Sequence, residues 1–336
     1  MLEFLVCGLL AMGVIEDKPP VPAPVKLIYD TDMGNDVDDA LALGVIHALQ
    51  NRGECELLAV TITKDHPQSA PFIDAVNTFY GRPDIPIGMV KGGVTKQDSR
   101  FTPIAEHKNG DTLKYPHDLK SGDDAPDATA LLRKTLAAQP DHSVVIAQVG
   151  FSTNLARLLE SKGDDHSPLS GKDLAATKVK FISIMAGAFK PHNDHPHDEY
   201  NVVKDIPSAQ QLLKDWPTPV IISGFEIGLE TALYQDAMKF DFNYEKDHIL
   251  DVAYRHYHKA YTNQPSWDLT SVLYAVRPDR GYFDLSVKGY AHYDDEGYTF
   301  FREHKDGNHQ YLIASPGQAE RVKEALANFA TEPPVK

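Results

Sequence analysis

Residues 28–43, IYDTDMGNDVDDALAL, place Asp30, Asp32, Asp36, Asp38 and Asp39 within ten positions, between two apolar runs. An aspartate at a helix start accepts backbone N–H bonds in the favourable field of the helix dipole, a contribution of about 0.5–2 kcal/mol. Capping accounts for one or two of the five, but each further carboxylate repels its neighbours. A hard cation removes the conflict. Calcium takes about six to eight oxygen ligands, and with no Cys or His beside the cluster zinc is the poorer match. The spacing is not that of an EF-hand loop, which needs its Gly and a later Glu at set positions.

A second group, His192, His195 and His197 in KPHNDHPHDEYN, reads either as a zinc cluster or as a solvated wall of the site. Pro191 and Pro196 exclude the helical H-x-x-x-H arrangement of a zinc site. His256, His258 and Tyr261 in AYRHYHKAY fall on a predicted helix. Any of these histidines could donate a proton near neutrality, and packing is the alternative. Ser152 and Ser223 lack a nucleophile-elbow context, and GMVKGG is a turn with no Lys-Ser/Thr to make it a phosphate loop.

The chemistry needs a scaffold, and 336 residues with 42% apolar and 24% charged positions can bury a sizeable core. The net charge of −15, from 33 basic and 48 acidic residues, argues against a nucleic-acid backbone binder, which needs a positive face. A small neutral substrate or a bound cation suits it better. Cys7 and Cys55 make no disulfide framework.

Residues 1–24 differ from the rest. FLVCGLLAMGV is too short for a transmembrane helix but suits the core of a secretory signal cleaved after Ala11 to Gly13, and EDKPPVPAPV is a Pro-rich linker. No Lys or Arg precedes the apolar run, so a disordered tail or a misassigned start is the alternative. Export is the expectation with a signal, leaving no membrane contact in the mature form; a cytoplasmic location is the expectation without one. Residues 25–336 read as one domain.

From Val25, short apolar runs alternate with amphipathic segments. VKLIYD, ELLAVTIT, IPIGMV, HSVVIAQVG, KVKFISIMAG and PVIISGFEIG read as strands. The helices between them start with DDALALGVIHALQN. This order predicts an α/β fold with a doubly wound, mostly parallel sheet, helices on both faces and a small C-terminal β-hairpin or meander drawn from 283–315. Ligands in such folds sit beyond the carboxyl ends of the strands, where the aspartate cluster falls.

DTDMGNDVDDALAL resembles the N-terminal signature of the nucleoside hydrolases. SVVIAQVGFSTNLARLL, MAGAFKPHNDHPHDEYNVVKD and PSWDLTSVLYAVRPD are similar, in order, to three later motifs of that family. The resemblance covers about residues 25–330. It implies calcium held by Asp32, Asp39, the Val149 carbonyl and Asp268, with Asp38 as general base and Asp30 supporting the loop from behind. It also implies Asn193, Glu199 and Asn201 against the ribose, a ribonucleoside or related N-riboside as substrate, and a homodimer or homotetramer. Cleaving an N-glycosidic bond passes through an oxocarbenium-like sugar, so a water, a base and nearby negative charge are what the reaction needs. A calcium-dependent sugar- or nucleoside-binding protein without turnover, or a hydrolase of another glycoside, is the alternative. A phosphohydrolase with an Asp nucleophile is disfavoured because Gly34 stands where its motif wants Thr.

Three departures from the family pattern concern the substrate. Three residues rather than one separate Gly34 from the Asp38–Asp39 pair, so Asp36 is extra. Trp267 stands where a His often serves as leaving-group acid, and an indole can stack on a base but cannot protonate it. Asp65 or His66, in TKDHP, replaces the Asn expected near the sugar after the second strand.

Overall fold

A computed structural model describes residues 23–335. The expected signal and most of the linker lie outside the described residues. The strands in chain order are β1 (Val25–Thr31), β2 (Cys55–Ile62), β3 (Ile87–Met89), β4 (Lys108–Asn109), β5 (Thr112–Leu113), β6 (Val144–Gln148), β7 (Val179–Met185), β8 (Val220–Ser223), β9 (Asp284–Leu285), β10 (Gly289–Tyr293), β11 (Thr299–Glu303) and β12 (His309–Ile313). Ten of them form one sheet in the order β11-β10-β12-β8-β7-β6-β1-β2-β3, with β9 paired to β12; β4 and β5 make a separate two-stranded ribbon.

Every neighbouring pair from β3 to β12 through β1 is parallel. The chain moves outward from β1 to β3, then returns to place β6 on the other side of β1. This reversal opens a crevice at the carboxyl ends of β1 and β6, the usual ligand position of a doubly wound sheet.

Alternation along the strands sorts the core to two faces. Leu27, Tyr29, Val145, Ala147 and Ile221 pack with the helices Asp38–Asn51, Ser69–Phe79, Trp267–Val276 and Pro316–Ala330. Ile28, Ile146, Ile182 and Ile222 face the opposite way, against Ala128–Ala137, Thr153–Glu160 and Ile206–Asp215. Both faces are covered, as a parallel sheet requires.

Two expectations need adjustment. PVIISGFEIG is a strand only to Ser223; Gly224 then caps a short helix, Phe225–Glu230. The expected C-terminal hairpin is β10–β11. NHQYLIAS supplies β12, which pairs antiparallel to β10 and β9 as expected and on its other side pairs parallel to β8, so covering the open edge of that apolar strand. Among the described residues, no helix is long and apolar enough to cross a membrane.

Candidate active site

The aspartate cluster occupies the switch point. Asp30, the penultimate residue of β1, is buried behind the site, accepting from Thr61 Oγ1 at 2.6 Å and Asn154 Nδ2 at 2.8 Å. Asp38 and Asp39 open the helix Asp38–Asn51, and Asp268 lies in the first turn of Trp267–Val276. Two helix N-termini thus meet beneath these carboxylates and favour negative charge there. Carboxylate oxygens of Asp38, Asp39 and Asp268 lie within 4.8 Å of one another. All three groups are buried, and the Asp268 N–H donates to Asp38 Oδ2 at 3.2 Å. Thr31 Oγ1 donates to Asp39, and Asn35 Nδ2 donates to Asp32.

Burial, followed by the charge of neighbouring carboxylates, raises Asp38, Asp39 and Asp268 well above the ordinary aspartate range. Asp32 is pushed up to about 6, and Asp30 and Glu199 to about 7, in each case chiefly by burial. Among the described residues, no Lys, Arg or His makes an ion pair with Asp32, Asp36, Asp38, Asp39 or Asp268. A mostly buried, oxygen-only set with no basic group in ion-pair contact fits a hard divalent cation.

Close strand approach makes the arrangement possible. A Cβ on Gly150 would run into the Thr63 side chain and the Thr31–Asp32 backbone. Glycine there lets the β6 exit, with Val149, sit directly against the β1 exit. The Val149 N–H donates to Asp30 O at 2.7 Å, and its carbonyl accepts from Asn201 Nδ2 at 2.9 Å.

Asp32, Asp38, Asp39, Val149, Glu199, Asn201, Trp267 and Asp268 together line one cavity of about 590 Å³. Glu199 is 2% exposed and accepts from the N–H groups of Gly187, Asn201 and Val202. Trp267 donates from Nε1 to Phe225 O at 2.9 Å and stacks on the Phe225 ring, which also carries His197 at 3.8 Å. Asp36 borders the same cavity and accepts from the Val37 N–H at 2.7 Å.

Other candidates stand elsewhere. Asn193 is an exposed turn residue outside the cavity wall; it and Asp194 take φ of 50° and 63° in a turn closed by the His192–His195 backbone pair. Asp65 accepts from Gly93 N and faces Lys96, and buried His66 accepts from Gln68 N. Both organise the loop after β2 and lie away from the cavity wall. Of the histidines considered, His197 alone borders the cavity, where burial lowers its basicity. His258 is bound to Gln264, and His256 lies beside His107.

Sequence reasoning missed Lys64, Asn35, Phe225 and Tyr257. Lys64 follows the carboxyl end of a parallel strand, a position that marks site residues in this fold. Tyr257 is one residue from His256 and His258 and borders the cavity with Asp36.

This sheet order, with an acidic crevice at its switch point, defines a doubly wound α/β protein. Residues 27–324 match the family described as inosine-uridine preferring nucleoside hydrolase, and the chain belongs to that family of N-glycosyl hydrolases. It is 32% identical over 211 residues to the pyrimidine-specific ribonucleoside hydrolase RihA of Salmonella enteritidis PT4. That match takes in 60% of this chain and 61% of the relative, so the chain covers less than two thirds of the relative's length. Two solved structures share the fold. A plant nucleoside hydrolase, PpNRh1, superposes with a TM-score of 0.69 at 21% identity, covering 92% of this chain and 100% of that one. The purine-preferring ribonucleoside hydrolase from Gardnerella vaginalis gives 0.67 at 19% identity, covering 91% and 99%.

Proposed function

We propose that this chain hydrolyses the N-glycosidic bond of a ribonucleoside or related N-riboside in a calcium-dependent reaction, with Asp38 taking a proton from the attacking water. The observation that carries this reading is three buried carboxylates converging, with no basic group in ion-pair contact, on a cavity whose walls offer hydroxyl acceptors and aromatic faces. Asp32, Asp39, Asp268 and the Val149 carbonyl are the residues that would hold the cation. When bound, a hard dication supplies Lewis-acid polarisation of water and an anchor for sugar hydroxyls.

The chain's own residues do the rest. Asp38 keeps Oδ2 on the Asp268 N–H, which orients its carboxylate as general base. Glu199 is fixed by its three backbone donors and meets a ribose hydroxyl without reorganising. Asn201 commits its nitrogen to the Val149 and Met185 carbonyls, so Oδ1 is the atom it offers the sugar. Trp267, with its N–H engaged, presents only its face to the leaving base. Water adds to the anomeric carbon as Asp38 takes its proton, the C–N bond breaks with its electron pair going to the base nitrogen, that nitrogen is protonated from solvent while Asp38 returns its proton to solvent, and ribose and free base leave. The dimer or tetramer typical of the family is part of the same reading.

The test compares wild type with Asp38→Asn on a panel of purine and pyrimidine ribonucleosides in calcium. Wild type releases reducing sugar; the variant still binds calcium but loses about 10²- to 10⁴-fold in kcat. A variant as active as wild type removes Asp38 from the base role.

A further inference from the structure

Lys64 lies two residues beyond the end of β2 and is 0% exposed. A buried ammonium group needs partners. Lys64 Nζ donates to Gly34 O at 3.0 Å and to Asn35 Oδ1 at 2.6 Å, and no carboxylate lies within ion-pair distance of it among the described residues. Gly34 has φ of +113°, which suits glycine and turns its carbonyl toward the lysine. Both contacts fall on the loop that is two residues longer than the family signature.

An ammonium group can only donate, so the oxygen of the Asn35 amide must face Lys64. Its nitrogen must then face the other way, where it donates to Asp32 Oδ2. We propose that Lys64 is a positioning residue for the cation site, acting through Asn35: it orients the Asn35 amide so that Nδ2 holds the Asp32 carboxylate in place. The inference rests on the reading of Asp32 as a cation ligand. A simple through-space role for the lysine charge has the opposite sign, because removing a positive charge near a cation site tightens cation binding.

Calcium is titrated calorimetrically into metal-stripped wild type, Lys64→Met, Asn35→Ala and the double variant, with thermal melts alongside. Each single substitution is expected to raise the Kd for calcium about 10-fold or more, as loss of support to a ligand does. The double variant is expected to bind no worse than the weaker single, because both substitutions break the same relay. An unchanged or tighter Kd in Lys64→Met, or losses that multiply in the double variant, overturns the proposal. If Lys64→Met does not fold, Asn35→Ala decides, and an unchanged Kd there overturns it. Failure of wild type to bind calcium overturns the metal reading and the proposal together, whereas calcium binding that neither substitution weakens overturns the proposal alone.

Discussion

Trp267 shows how a side chain can be committed at one end and free at the other. Its N–H is engaged by Phe225 O while the indole stays half-buried on the cavity wall, so what it offers the cavity is an aromatic face with no proton to donate. Base–aromatic stacking is worth about 1–3 kcal/mol, so Trp267→Ala should raise KM about 5- to 150-fold and change kcat less. Steady-state kinetics on one ribonucleoside checks this; a fall in kcat at constant KM would place the contact in the transition state. The aspartates, Glu199 and Asn201 were legible because carboxylates and amides at strand ends and helix starts have few structural uses in such number. Asn193, Asp65 and His66 stand outside the cavity lining for a physical reason. Residue type and order do not reveal whether a loop directs a side chain inward, and positive φ at Asn193 and Asp194 turns that tip to solvent. Lys64 escaped notice because a lysine is rarely fully buried, and only the folded loop shows what its ammonium holds.

The strands and helices that carry these groups were read largely from their periods. The helix Asp38–Asn51 has the predicted bounds, and β1, β2, β6 and β7 differ from their predicted runs by a few terminal residues. PVIISGFEIG was mistaken because a continuous apolar run has no period to separate strand from buried helix, and the change falls at Gly224. The parallel insertion of β12 was hidden because pairing partners far apart in sequence leave no local mark. The approach of β6 to β1 has a direct test in Gly150→Ala. Its added methyl meets backbone at Thr31–Asp32, which cannot rotate away, so the substitution should cost about 1–3 kcal/mol in denaturant unfolding. A neutral result would mean that the two strand exits can separate without loss.

The whole molecule stores like charge in its interior, and that gives its stability a pH dependence. Burial pushes Asp30 and Glu199 up to about 7 and Asp32 up to about 6, while in the unfolded chain such groups titrate near about 4. Between about pH 4 and 7 the folded state therefore holds protons that the unfolded state has released, and stability falls as pH rises through that window. Metal-stripped protein should melt at a lower temperature at about pH 8 than at about pH 5.5, and calcium should raise Tm most at the higher pH. A Tm that is flat or rises with pH would show that these carboxylates carry no such strain. The central claim, cation-dependent hydrolysis of an N-riboside, is tested most directly by measuring ribose and free base together. Metal-stripped protein is incubated with purine and pyrimidine ribonucleosides, with and without added calcium. Equimolar ribose and base, appearing only when calcium is restored, is the predicted result; no product from any of them with calcium demonstrably bound, or equal turnover without it, would contradict the account.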